Sequence, residues 1–248
     1  MIYQCYAREE DKSSLFPSGP YEGFGLEPEV NDTLFLNCPE LEDPKTRMAL
    51  TEYACFLWHW RNPEANPDPW FGTTSFRQLE KGFTTTFRSE ESVSELLEEH
   101  QILGWGEYHS VGMIPGGDGQ TVPVSLALQA EVCHPHINDF IFEAFSVFGH
   151  EVPRSWEFAM SGFFANYWAM KTDLFHEFME FSWPMVEWAL ENVEDSEFYK
   201  KQPSFSTVSK EKAVGYFMER LFILWYLMKR TLPHNHTGEA LTVLSHVE

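Results

Sequence analysis

Apolar and polar residues alternate over Met1–Ala7, which reads as a short first strand. The pattern then lapses from residue 8 to 45, where Pro, Gly and acidic residues dominate (LFPSGPYEGFGLEPEV, then CPELEDP) and an irregular, extended course is expected. From Arg47 to Arg61 a stripe of Met48, Tyr53, Phe56 and Trp60 predicts one amphipathic helix, closed by the cluster from Pro63 to Pro69. Trp70–Phe76 reads as a strand. Ser89, with acids in the turn that follows, opens a helix (SEESVSELLEEH), and a strand is expected around Ile102–Tyr108. PGGDGQTVP reads as a glycine-rich loop, and helical patterns return at Val124–Cys133 and Asn138–Phe148. In the last third, SGFFANYWAMK reads as a buried strand running into Thr172, the N-cap of a helix over 173–192 that Pro184 bends. Ser209 caps a final helix that runs to about Arg230, and the tail HNHTGEALTVLSHVE is weakly patterned. There is no internal repeat and no linker; strands and helices in this mixed order predict a single α/β domain with a helical C-terminal part.

Composition narrows the function classes. The 22 Phe, 9 Trp and 9 Tyr among 248 residues suit a packed core and also the stacking of planar or sugar rings. A net charge of −21 argues against a nucleic-acid surface, which needs clustered Lys and Arg, and against docking on an anionic bilayer. A halophilic or marine host would explain the same acidity with no functional content. With only 17 basic residues, any arginine near an anionic ligand becomes informative. Cys5, Cys38, Cys55 and Cys133 show neither a Cys-x-x-Cys pair nor metal-ligand spacing and read as reduced thiols. The start, MIYQCYAREE, has no signal-peptide pattern, and the best apolar run, Leu221–Met228, is too short to span a membrane. A cytoplasmic protein is expected, peripheral to a membrane only through its acceptor or a partner.

Three clusters carry chemistry. The first is Glu52-Tyr-Ala-Cys-Phe-Leu-Trp58-His-Trp60-Arg61-Asn62. On a helix Glu52 lies off the Phe56/Trp60 stripe, while Trp58 and Arg61 share a neighbouring face. It reads either as a core helix whose aromatics pack, or as a helix end that turns Arg61 and Asn62 toward a diphosphate or ribose. The second runs from Asp68 to Arg77. An arginine just past a buried strand points toward the carboxyl ends of a sheet, where α/β proteins take ligands, and its forked guanidinium suits phosphate. A surface ion pair is the plainer alternative. The third, Cys133-His134-Pro135-His136-Ile-Asn-Asp139, offers an incomplete zinc-ligand set, an acceptor cleft lined by His134 or Asp139, or an ordinary helix start capped near Asn138 or Asp139. Glu151, after Gly149 and His150, offers a carboxylate for an acceptor hydroxyl or a plain loop residue. Glu219 and Arg220, adjacent on a helix, are expected to face different partners. PGGDGQ lacks the Lys-Ser/Thr ending of a phosphate-binding P-loop.

In order along the chain, these residues resemble a family of capsule and exopolysaccharide glycosyltransferase-like proteins whose core reads E-L-T-x-x-Y-W-x-W-K-N, then G-x-x-H-Y-R-R. Glu52, Trp58, Trp60 and Asn62 match the first motif, with Arg61 for its lysine; Gly72 and Arg77 match the second, with Phe76 for its tyrosine. Gln129 and His134 keep a Q-x4-H spacing with Asp139 close by. Asn166-Tyr-Trp168-Ala-Met-Lys171 resembles N-M-F-x-M-K, and Gly215-Tyr-Phe-Met-Glu219-Arg220-Leu-Phe resembles G-Y-L-x-E-R-L-F. Ser75 and Gln78 depart from the pattern, replacing a histidine and a second arginine.

The resemblance implies a GT-A-like nucleotide-diphospho-sugar transferase fold with a mixed central sheet. Residues 1–120 would form mainly the donor part and 121–232 mainly the acceptor part and C-terminal helices. It implies transfer from a nucleotide sugar to a glycan acceptor. Donor binding would fall to Glu52, Trp60, Arg61, Asn62, Asp68 and Arg77, acceptor binding to His134, Asn166 and Trp168, and catalysis to Asp139 and Glu151. GT-A enzymes often hold Mn²⁺ or Mg²⁺ on an Asp-x-Asp pair. The chain has no Asp-x-Asp, so either single carboxylates such as Asp68 serve a divalent ion, or Arg61, Arg77, Lys171 and Arg220 neutralise the leaving diphosphate instead. Two rivals stand beside this reading: a non-catalytic nucleotide-sugar- or glycan-binding protein of the same fold, and a metal-dependent hydrolase built on His134, His136 and Asp139.

Overall fold

In a computed structural model of the chain, the described residues are 1–16, 19–65, 67–77, 89–104, 108–109, 111–113, 121–162, 166–201, 212–231 and 243–244. The strands are β1 (Ile2–Tyr6), β2 (Tyr21–Gly25), β3 (Trp70–Ser75), β4 (Ile102–Gly104), β5 (Tyr108–His109), β6 (Val111–Met113), β7 (Thr121–Pro123), β8 (Ser161–Gly162), β9 (Trp168–Lys171) and β10 (Val243–Leu244). The helices are α1 (Pro44–Leu50), α2 (Tyr53–Arg61), α3 (Glu90–Glu99), α4 (Leu126–Cys133), α5 (Ile137–Val147), α6 (Thr172–Asn192), α7 (Glu197–Lys200) and α8 (Ala213–Thr231). Short 3₁₀ turns fill several connections. The glycine-rich PGGDGQ segment, Gln78 and Ser209 lie outside the described residues.

The chain folds as two compact units that interleave in sequence: Met1–Gly106 with Ala165–Phe181 and Glu239–Glu248, and Glu107–Phe164 with Ser182–Gly238. The first holds a six-stranded mixed sheet in the order β10-β4-β9-β3-β1-β2. Strands β2, β1 and β3 are mutually parallel; β9 runs antiparallel between β3 and β4, and β10 is parallel to β4.

Strand β2 lies inside the stretch expected to be irregular. Its sequence, Tyr-Glu-Gly-Phe-Gly, carries two glycines and no strand pattern, and at Gly25 the glycine answers to a tertiary contact. A Cβ on Gly25 would sit 2.8 Å from the Val30 carbonyl oxygen. That approach holds the following loop against the strand end. In the middle of β3, a Cβ on Gly72 would lie 2.9 Å from the Ala169 Cβ and 3.0 Å from Ile2 Cγ1, so the three central strands close at this point only without a side chain.

The single helix expected over 47–61 is two. Asp43 caps α1 by accepting from the Lys45 and Thr46 amides, with Pro44 at the first helical position. The helix then ends at Thr51, whose φ is 50°. A β-branched residue tolerates that conformation poorly, so the break is imposed by packing. Beyond it, α2 is buried on every side from Tyr53 to His59, whereas Met48 of the supposed stripe is exposed. The 3.6-residue period was misleading because α2 is an interior helix.

Its rings join an aromatic core. Phe56 lies 5.0 Å from Trp168, Phe71 lies 4.2 Å from Phe175, and His59 stacks on Phe71 at 4.4 Å and 21°. Each such fully buried side chain contributes about 1.5–3 kcal/mol by leaving water. Thr172 does not cap α6 from outside: it is the first residue of the helix, and its hydroxyl donates to the Asp68 carbonyl at 2.9 Å. Pro184 lies inside α6, which continues past it to Asn192.

The second unit is mostly helical, with the two-stranded pairs β5–β8 and β6–β7. Phe140 of α5 packs on Trp188, Phe198 and Phe217. Asn138 ties the unit together: it donates to the Ala127 carbonyl and to Glu131 and accepts from the Trp156 indole N–H at 3.1 Å. Among the described residues no helix is long and apolar enough to cross a membrane. All four cysteines are free thiols; Cys133 is exposed and the other three are buried.

Candidate functional site

Because β1, β2 and β3 are parallel, their carboxyl ends at Tyr6, Gly25 and Ser75 share one edge of the sheet, where open α/β sheets take ligands. Two sequence motifs meet there. The antiparallel register of β3 and β9 pairs Trp70 with Lys171 and Thr73 with Trp168. Because β9 begins at Trp168, opposite Thr73, Asn166 lies two residues before it, toward the carboxyl end of β3. Ser75 is buried and its hydroxyl accepts the Arg77 backbone N–H at 3.1 Å, turning the chain at the strand end. Arg77 follows, exposed, at the carboxyl edge that the sequence assigned to it. Asn166 is 4% exposed, has a φ of 54°, and its Oδ1 has no hydrogen-bond partner. Trp168 is instead a core residue, fully buried between Phe56 and Phe178.

Concavities flank the same edge. One of about 460 Å³ is walled by Tyr3, Tyr6, Phe24, Asn31, Asp32 and Trp58. A second, of about 540 Å³, lies where β1 and β2 end, between Arg8 and Glu27. The loop that follows β2 is pre-set. The Tyr6 hydroxyl donates to the Val30 carbonyl, Asn31 Nδ2 donates to the Gly25 carbonyl, and Asn31 Oδ1 accepts from the Thr33 amide and hydroxyl. The Trp58 indole N–H donates to the Thr33 carbonyl at 2.8 Å. Strand β2 and the loop that follows it come from the stretch that showed no periodicity, and β1 and Trp58 supply the other walls. The Asn31-Asp32-Thr33 turn, with an asparagine able to bond two residues ahead, was the available signal.

Arg61 and Asn62 line a hollow of about 320 Å³, but their polar atoms hold the preceding loop. The Arg61 guanidinium makes a two-pronged pair with Glu40, at 2.6 and 2.7 Å, and donates to the Asn37 carbonyl. Asn62 is buried: its amide donates to the Leu36 and Trp58 carbonyls and accepts from Asn37 Nδ2, each at 2.8 Å. Glu52 sits at the N-cap position of α2 without making a side-chain cap, and Trp60 is half-buried on the same helix. Asp68 accepts from the Met1 amine at 2.8 Å. His59, buried against Phe71, is pushed down to about 3, first by burial and then by the positive amine and His176.

In the second unit, the Gln129–His134 spacing and the Gly215–Phe222 motif come together. The His134 ring stacks on Tyr216 at 3.9 Å and 15°, and Gln129 accepts from Arg220 at 3.4 Å. Arg220 is buried and also donates to Glu219 at 3.2 Å. The expectation that Glu219 and Arg220 face different partners is therefore corrected: burial folds the long arginine side chain back onto its neighbour. Burial also pushes the Tyr216 phenol up to about 12, with Glu219 adding to the shift. His136 is the left-handed residue that starts α5; its Nδ1 lies 3.0 Å from Asp139, whose side chain is 79% exposed. Glu151 is exposed. His136 and Asp139 meet, but His134 stacks on Tyr216 and does not complete a three-ligand set with them. Among the described residues no three His, Cys, Asp or Glu side chains are placed to hold a metal ion.

No family model matches the chain, and no curated protein matches it. Among solved structures its fold is similar to that of WbbM, a bifunctional glycosyltransferase in its apo form, with a TM-score of 0.56 at 15% sequence identity. The likeness covers 98% of this chain and 44% of that one, so the chain spans less than half of WbbM's length. The chain thus has the α/β, mixed-sheet, GT-A-like fold that its sequence implied.

Proposed function

We propose that the chain is a glycosyltransferase that moves a sugar from a nucleotide-activated donor to a glycan hydroxyl, in the synthesis of a surface polysaccharide or related glycan. The observation that carries this reading is the fold likeness to a glycosyltransferase over nearly the whole chain. The carboxyl edge of β1, β2 and β3 supplies the place for the donor. In this reading the acceptor oxygen bonds to the anomeric carbon as the bond from that carbon to the diphosphate breaks. The diphosphate leaves with the electron pair, and the acceptor's proton passes to a base. Arg77, a fixed cation at the strand end, offsets the charge that grows on the leaving diphosphate.

The described carboxylates do not fit a resident divalent ion, given the absent Asp-x-Asp and the lack of converging ligands, so no step here runs through one. Those same features, with Ser75 in place of a histidine, favour the second reading, a nucleotide-sugar-binding protein that keeps the fold without the chemistry. Calorimetric titration with a panel of nucleotide sugars, with and without Mn²⁺, tests both readings. Binding is expected, and Arg77→Ala should weaken it by roughly 1.5–3 kcal/mol, the scale of a charged hydrogen bond. Wild-type protein that binds none of the panel would sink the proposal, and an unchanged affinity in R77A would remove Arg77 from the site.

A further inference from the structure

We infer that Asn166 is a donor-side residue whose Oδ1 accepts a hydrogen bond from a hydroxyl of the bound nucleotide sugar. The inference rests on the glycosyltransferase reading and moves Asn166 away from the acceptor role that the family resemblance implied. Its first support is position. Residues 165–181 belong to the same compact unit as β1, β2 and β3, and Asn166 lies two residues before the start of β9, whose first residue pairs with Thr73 in the carboxyl-terminal half of β3.

The second support is an unmet bond. Asn166 is 4% exposed, yet its Oδ1 has no partner, and an acceptor buried without a donor is costly to keep. The third is the backbone, held at a φ of 54°. Strain and an orphaned acceptor at one residue are the combination that binding sites retain.

Chemistry then selects the ligand group. An amide oxygen only accepts, so a phosphate oxygen does not fit it, whereas a sugar or ribose hydroxyl does. The other amino acid at this edge has the opposite preference: Arg77 only donates and suits the diphosphate. The edge thus divides the donor between an acceptor for its hydroxyls and a cation for its phosphates.

The left-handed backbone supplies a clean test, since glycine adopts that φ without strain. Asn166→Gly removes the amide while leaving the conformation open to the chain. Wild type and N166G would be titrated calorimetrically with UDP-glucose, UDP-galactose, GDP-mannose and dTDP-glucose, and with UDP, GDP and dTDP. N166G should melt no lower than wild type. It should bind the preferred nucleotide sugar about threefold to tenfold more weakly, the range of one neutral hydrogen bond. A loss confined to the nucleotide sugar places the contact on the transferred sugar; an equal loss for the bare diphosphate places it on the ribose. Folded N166G with unchanged affinities overturns the inference and leaves the glycosyltransferase reading standing. Wild type that binds none of the probes overturns both. If N166G fails to fold, deoxy analogues of the bound donor on wild type decide the matter: one missing hydroxyl must reproduce the loss, and no sensitive position would refute it.

Discussion

Asn62→Ala separates a structural from a donor-binding role at the most matched motif in the chain. In the folded protein the Asn62 amide is 6% exposed and serves as a clamp, donating to the Leu36 and Trp58 carbonyls and accepting from Asn37. Alanine removes all of these bonds. The Trp58 carbonyl keeps a partner, the Asn62 backbone N–H at 3.0 Å, whereas the Leu36 carbonyl loses the Asn62 donor and Asn37 Nδ2 must turn to water. At about 0.5–1.5 kcal/mol per net hydrogen bond, with the orphaned carbonyl adding to the loss, N62A should destabilise the protein by about 2–4 kcal/mol. Asn62→Asp should cost at least as much, because it presents a carboxylate to two carbonyl oxygens. Urea unfolding followed by tryptophan fluorescence reads the change, as Trp58 lies within the clamp. Affinity for a bound nucleotide sugar, measured on the folded fraction, should stay within about twofold, well under the effect of a lost hydrogen bond. N62A that unfolds within about 0.5 kcal/mol of wild type but loses nucleotide binding would refute the clamp and return Asn62 to the donor site.

Two further predictions concern the first unit's core. His59 carries a proton in the unfolded chain below its ordinary value of 6.5 but resists one in the fold until about pH 3. Its contribution is therefore intact above pH 6.5 and is lost as pH falls toward 3, at about 1.4 kcal/mol per unit. His59→Phe should flatten that slope between pH 6 and 4, roughly the span separating the two values. Parallel urea midpoints for wild type and variant across this range would contradict the assignment. Gly72→Ala should destabilise by about 1–3 kcal/mol through overpacking against Ala169 and Ile2; a thermal midpoint unchanged by the substitution would show that the strands can part there.

The parts of the fold legible in the sequence were those governed by local rules. Alternation marked β1, the Ser89 cap and acidic first turn marked α3, and the β-like run Trp70–Phe76 marked β3. Where tertiary packing overrode local preference, the pattern misled. The interior helix α2 looked amphipathic, and β2 looked like a loop because its glycines answer to Val30 and to the chain beside them. At the site, Arg77 could be placed at a strand end from its own segment. The place of Asn166 at the carboxyl end of β3 needed the register of β9 between β3 and β4, which no spacing along the chain encodes. The aromatic-walled concavity behind Tyr6 and Asn31 was hidden for the same reason, since its walls come from segments distant in sequence. Arg61 and Asn62 show the converse: a motif conspicuous in the sequence whose polar atoms turn inward to hold a loop.

The central claim, that the fold still performs group transfer, is tested most directly without knowing the acceptor. Water can replace a glycan hydroxyl slowly in a glycosyltransferase site, releasing nucleoside diphosphate from the donor. Purified protein incubated with the nucleotide sugar that it binds best, and assayed by mass spectrometry for that diphosphate and the freed sugar, should show turnover above the uncatalysed rate. Arg77→Ala should abolish most of it. A wild-type protein that binds the donor yet releases no diphosphate, alone or with added glycans, would contradict the account and establish a binding protein on a transferase fold.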